Sequence, residues 1–109
     1  MMASHLPYQA TTATGERFDI SFPLHPDTAS PVRVSQMVSA ILETLDREVK
    51  LEATSNGDVL QALAMATAIR ASMIEAPKRI TDNLTAELIV ASLQAMEDAK
   101  REYRQVGHA

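Results

Sequence analysis

The segment "VLQALAMATAI", residues 59–69, decides what kind of fold this sequence can form. It carries no charged side chain and only two polar ones, Gln61 and Thr67. At 100° per residue, the helix that contains it has two apolar stripes on opposite sides. The first stripe consists of Leu60, Leu63, Ala64, Thr67, Ala71 and Ile74, and the second of Met65, Ile69, Met73, Ala62 and Ala66. One stripe can pack against the chain's own helices, whereas the second needs another partner.

Two further helical patterns flank this segment. Ser30 followed by Pro31 predicts the start of a helix over residues 31–50, which has a single apolar face. For the second helix, Ser55 with Asp58 resembles a capping box, and Asp58 with Gln61 is the alternative; Pro77 stops this helix. A third helix is predicted over residues 81–105, with a wide apolar sector. Short connections between these helices favour antiparallel neighbours.

The N-terminal part of the sequence predicts one strand. In "RFDISFPL", residues 17–24, Phe18, Ile20 and Phe22 alternate with polar residues, as in a strand with one buried face. Residues 1–15 are small and polar and are predicted to be a disordered tail. Because the sequence predicts no second strand, the expectation is that this strand pairs with its twofold mate in a dimer. The alternative is a monomer in which the segment lies across the helices, with Phe18 and Phe22 covering their open apolar face.

The expected fold is therefore mainly α: a three-helix antiparallel bundle preceded by a short N-terminal strand, forming one helical domain over residues 16–109. A homodimer is expected, because a three-helix chain leaves one apolar side of some helix open to water. An ion pair between Arg70 and Glu87 is expected if the second and third helices are antiparallel, with a snorkelling Arg70 as the alternative. The expected dimer interface consists of Phe18, Ile20, Phe22, Met65, Ile69 and Met73.

Composition narrows the class of protein. The chain is 46% hydrophobic and 22% charged, and its formal net charge is -4, which disfavours nucleic acid or an anionic membrane as a partner. It has no cysteine, so disulfides and cysteine-ligated zinc are excluded. Without a recognisable signal peptide, a cytoplasmic location is expected. The apolar segment is too short to cross a bilayer.

The sequence has few residues arranged for catalysis or for binding a metal ion. His5, His25 and His108 are scattered, and no metal or cofactor is expected. There is no nucleophile motif, so the protein is predicted not to be an enzyme. Lys78 and Arg79 could hold an anion before the third helix, but an exposed turn is favoured.

The tripeptide "HPD", residues 25–27, resembles the loop signature of J-domain cochaperones. In that family it joins two helices, the first of them basic, whereas here it follows a strand-like segment. The favoured interpretation is therefore a local turn in which the side chain of Asp27 accepts hydrogen bonds from nearby backbone amides.

Three functional hypotheses follow. The first is a homodimeric interaction or scaffold module with an unidentified protein partner. The second is a DNA-binding regulator of ribbon-helix-helix type, suggested by a strand followed by two helices. The third is a protein that binds a small apolar ligand in a cavity lined by Met37, Met65, Met73 and Met96.

Overall fold

The computed structural model describes residues 4–11 and 15–102. The remaining residues, 1–3, 12–14 and 103–109, include parts of the predicted tail and of the predicted third helix, and those parts lie outside the described residues. In the described part the protein is mainly helical, as predicted, with an antiparallel sheet at its N-terminus. The elements are, in chain order, β1 (His5–Thr11), β2 (Arg17–Pro23), α1 (Pro31–Leu51), α2 (Asn56–Ser72), α3 (Lys78–Glu97) and β3 (Lys100–Glu102).

The sheet has the order β1-β2-β3, with both pairings antiparallel. The prediction of a disordered tail over residues 1–15 is wrong for residues 5–11, which form β1. The reason is an alternation that matches β2: every second residue of β1 is apolar and lies on the half-buried face. The register sets Leu6 opposite Phe22, Tyr8 opposite Ile20, and Ala10 opposite Phe18.

The C-terminal end of α3 also differs from the prediction. The predicted helix over residues 81–105 ends at Glu97, and residues 100–102 form β3 instead. β3 pairs with residues 17–19 of β2. This pairing satisfies backbone groups on the second edge of β2, which a longer helix would leave without strand partners.

Proline limits further growth of the sheet. The amide of Leu24 donates to the carbonyl of Ser4 at 2.9 Å, which marks a hydrogen-bonded pair of the β1–β2 ladder. Because such pairs alternate with non-hydrogen-bonded ones, the register turns the backbone nitrogens of Pro7 and Pro23 away from the partner strand. Proline has no amide hydrogen, so the open edge of β1 and the part of β2 beyond residues 17–19 each lack a donor.

Serine side chains cap the first two helices. The hydroxyl oxygen of Ser30 accepts a hydrogen bond from the amide of Arg33 at 3.2 Å, and that of Ser55 accepts from the amide of Asp58 at 3.1 Å. Both contacts satisfy an amide that has no partner within the helix. The predicted starts of helices one and two are therefore confirmed.

The chain divides into two compact units, residues 1–37 with 90–109, and residues 38–89. Within residues 38–89, no two helices pack side by side along their lengths. Among the described residues only Ile20 and Thr81 are buried, each 6% exposed. The antiparallel bundle and the single domain over residues 16–109 therefore stay predictions.

Candidate interaction surface

The surface of α2 is apolar almost all the way round and open to solvent. Leu60 and Ile69 are nine residues apart, so they point to opposite sides of the helix. Leu60 is nevertheless 67% exposed and Ile69 is 64% exposed. Asp58, near the start of the helix, and Arg70, near its end, are its charged residues. In the described chain, both sides of this helix are therefore available to a partner.

The helical residues predicted for the interface lie on this surface. Met65, Ile69 and Met73 are all more than half exposed, although Met73 belongs to the C-cap of α2 rather than to the helix itself. The sequence analysis expected helix one to cover the opposite stripe. Instead Leu60 and Ile74 remain exposed, because residues 38–51 of α1 do not pack along α2.

Exposed apolar side chains are not confined to α2. In the described residues, seventeen large apolar side chains are exposed, all in the helices or the turn between α2 and α3. Twelve of them lie in residues 38–89: Ile41, Leu42, Val49, Leu51, Leu60, Met65, Ile69, Met73, Ile74, Ile80, Leu88 and Ile89. We call these twelve residues the helical apolar surface. Soluble monomers rarely expose so many large apolar residues without an interaction partner.

The strand residues predicted for the interface have different surroundings. Ile20 is buried in the single chain, and Phe18 and Phe22 are half-buried on the same face of β2. The premise that β2 has no second strand in its own chain is wrong, because β1 pairs along its whole length. The backbone groups on that edge of β2 therefore have partners without a twofold mate.

The predicted Arg70–Glu87 ion pair is not formed in the single chain. Residues 38–89 are all described, and the ion pair found among them joins Lys78 Nζ to Asp82 Oδ2, one helical turn apart on α3. Arg70 and Glu87 are both exposed.

The turn at residues 25–27 has a defined local structure. The amide of Asp27 donates to Nδ1 of His25 at 3.0 Å, and the amide of Thr28 donates to the carbonyl of His25 at 2.9 Å. The turn is as predicted, but the accepting side chain is that of His25 rather than Asp27. The carboxylate of Asp27 lies near the same ring, with its Oδ2 3.8 Å from Nδ1 of His25.

The first turn of α3 contains a buried residue that the sequence did not predict. Thr81 was taken as the start of helix three, but α3 begins at Lys78 and Thr81 is buried in its first turn. A cavity of about 180 Å³ lies beside it. The only signal in the sequence was a threonine one helical turn after Pro77. A threonine at that position is equally typical of an exposed N-cap. The cavity is lined by Ala71, Ser72, Ile74, Ala76, Lys78, Thr81 and Asp82.

The described residues contain no cluster of three or more histidine or carboxylate side chains that could bind a metal ion. Within the same residues, no helix combines the length and the apolar character needed to span a membrane. Comparison with known proteins finds no family model, no curated protein and no solved structure that matches this chain.

Proposed function

We propose that this protein is a non-catalytic interaction module that acts as a homodimer, with its helices completing their packing against a second copy. The supporting observation is the exposure of Leu60 and Ile69 on opposite sides of α2. A helix of this composition is stable in water when its apolar sides are covered. The antiparallel bundle expected from the sequence then belongs to the dimer. The cytoplasmic location and a further protein partner are part of the same proposal.

A second copy is the favoured partner because of the extent of the surface. Full burial of a large apolar side chain is worth about 1.5–3 kcal/mol at about 25 cal/mol per Å², which corresponds to roughly 60–120 Å². Seventeen such side chains, on average about half exposed, present on the order of 800 Å² per copy. Two copies would together remove about twice that area from water, within the size range of stable interfaces, about 1,200–2,000 Å².

The other two hypotheses gain less support. In the ribbon-helix-helix arrangement the exposed strand positions face DNA, and on β2 these are Arg17, Asp19, Ser21 and Pro23. Such a mixture does not suit an anionic groove, and the net charge is -4. For the ligand-binding hypothesis, the cavity of about 180 Å³ beside Thr81 is lined by none of the four methionines that the hypothesis invokes.

Light scattering coupled to size exclusion tests the proposal. At micromolar concentration we expect a mass of about twice the 11.9 kDa of one chain. A mass of one chain across the accessible concentration range would contradict it. Binding to mixed DNA at low salt, measured on the same sample, would instead favour the DNA-binding hypothesis.

A further inference from the structure

The junction between α3 and β3 is short. α3 ends at Glu97, the amide of Ala99 donates to the carbonyl of Met96 at 3.3 Å, and β3 begins at Lys100. The end of α3, β3 and the strand β2 with which β3 pairs all belong to the same compact unit. The chain therefore changes from helix to strand within this unit over a very short stretch.

The local sequence at this junction does not end the helix. Residues 97–102, Glu-Asp-Ala-Lys-Arg-Glu, contain neither glycine nor proline, and all but Asp98 are good helix formers. Among the described residues a positive φ is found at Gly15, so the end of α3 has no left-handed cap. α3 therefore ends where it does because the next residues pair with β2.

The charges at the end of α3 favour a longer helix. Its last turn has no basic residue, and Glu97 and Asp98 stand at its end. Negative charge is unfavourable there, because the carbonyl end of a helix carries the negative end of the helix dipole. A helix continued through the next turn would bring Lys100 and Arg101 into the last turn. It would also place Arg101 one turn after Glu97, at the spacing of a stabilising pair.

The extended conformation satisfies a different set of charges. The register sets Glu102 opposite Arg17 and Lys100 opposite Asp19, and both positions on β2 belong to its exposed face. Opposite charges directly across an antiparallel pair stabilise the pairing. A continued helix would lose both of these pairs and would place Glu102 one turn after Asp98, where like charges repel.

We propose that residues 98–102 form a two-state segment. As β3 they cover the edge of β2 at residues 17–19, and on release they continue α3 as a helix. Each state satisfies charges that the other leaves unpaired, and the extended state is held by three residue pairs of strand. Release opens the edge of β2 to another extended segment and lengthens α3 by roughly 7–8 Å. The proposal does not depend on the homodimer, because it involves no residue of the helical apolar surface.

Arg17→Glu tests the proposal from outside the segment, so the helix propensity of residues 98–102 is unaltered. It replaces an attractive cross-strand pair by a repulsive one, and the ratio of helical to extended segment should rise by roughly 2- to 30-fold. The Cα chemical shifts of residues 98–102 should move toward helical values. Exchange of the Asp19 amide, which the register turns toward β3, should accelerate. A segment that stays extended, or that is released without becoming helical, overturns the proposal.

Two further variants sharpen this result. Ser21→Glu is the matched control, because it adds a negative charge to the same face of β2 beyond the residues that pair with β3. It should leave the shifts of residues 98–102 unchanged. Ala99→Gly, added to Arg17→Glu, should lower the helical population about fivefold, since glycine is a poor helix former and residue 99 precedes β3. Helical shifts in the Ser21→Glu control, or shifts that do not respond to Ala99→Gly, contradict the proposal.

Ionic strength provides a test on the unaltered protein. Between about 0.01 M and 1 M salt the screening length falls from about 30 to 3 Å, which weakens both cross-strand pairs. In the helix, the attraction of Glu97 for Arg101 and the repulsion between Asp98 and Glu102 are screened together and offset each other. We therefore expect the shifts of residues 98–102 to move toward helical values at high salt. Equally extended shifts at both salt concentrations overturn the proposal, whereas a single-chain mass in the same samples contradicts the homodimer alone.

Discussion

The N-terminal sheet and the helices of residues 38–89 differ in how far they cover their apolar side chains within the single chain. In the sheet, one face carries the apolar residues, and Ile20 is buried within the single chain. Pro7 and Pro23 each remove one donor from its free edges, which disfavours the addition of further strands. The helices bury almost nothing in the single chain and leave the helical apolar surface open.

The difference comes from how each element distributes its apolar residues. A strand with period-two alternation needs cover on one face only, and a neighbouring strand extends that face without adding a second one. α2 has apolar residues on opposite sides and needs cover on both. The sheet is therefore expected to be stable at any protein concentration, whereas the helices depend on association.

The largest effect is expected from Ile69→Asp. In a monomer this exposed position tolerates a charge, with a change within about 0.5 kcal/mol. At a dimer interface the same charge is buried without a partner and costs about 3–5 kcal/mol. We expect loss of dimer mass and of helical circular dichroism.

Gln61→Asp is the matched control, since it adds the same charge to α2 at an exposed position that is already polar. It should leave the mass unchanged. A stable, dimeric Ile69→Asp variant would show that the second stripe of α2 is not part of the contact.

A smaller effect is expected from Ile20→Ala, which acts on the sheet. Shortening a buried isoleucine costs about 2–5 kcal/mol, and the lower end is expected because the neighbouring Phe18 and Phe22 are only half-buried. Amide hydrogen exchange of β1 and β2 should accelerate while the mass stays that of a dimer. Ser21→Ala, on the exposed face of β2, should change neither the amide exchange rates nor the mass. Dissociation of the Ile20→Ala variant would instead place the sheet in the dimer interface.

The elements that sequence predicts well here are those whose signals are local. Ser30 and Ser55 cap the helices at the predicted positions, because the cap depends on a residue and the amide three positions later. The alternation in β2 is equally local. β1 carried a similar alternation, Leu6, Tyr8 and Ala10, but Pro7 and the polar surroundings obscured it.

Features that depend on distant partners were not predictable in the same way. β3 lies where sequence indicates a continuing helix, and it forms because β2 offers a free edge about eighty residues earlier in the chain. The sequence did indicate the surplus of apolar surface on α2. It did not show that the Leu60 stripe would also be left open, since that depends on whether the neighbouring helices pack along α2.

Removal of the α2 cap should have a moderate effect. Ser55→Ala leaves the amide of Asp58 without its acceptor and should lower the free energy of unfolding by about 1 kcal/mol. Ser55→Asp supplies another acceptor and should retain the stability. Both are measured by denaturant unfolding at one fixed protein concentration, because the helices are expected to gain stability from association. Equal losses in the two variants would mean that the cap contributes nothing and that the serine matters for another reason.

The smallest effect is expected at the Lys78–Asp82 pair. The pair is exposed, and such pairs contribute roughly 0–1 kcal/mol. The two residues are not equivalent, however, because Lys78 is the first residue of α3, where the helix dipole opposes its charge, whereas Asp82 lies beyond the first turn. Lys78→Gln loses the ion pair but removes this repulsion, so the free energy of unfolding should change by less than about 0.5 kcal/mol. Asp82→Asn loses the pair and leaves the charge of Lys78 beside the dipole without its partner, so it should be the more destabilising change. Unfolding of both variants in low and high salt separates the contributions, and a larger loss for Lys78→Gln than for Asp82→Asn would contradict this account.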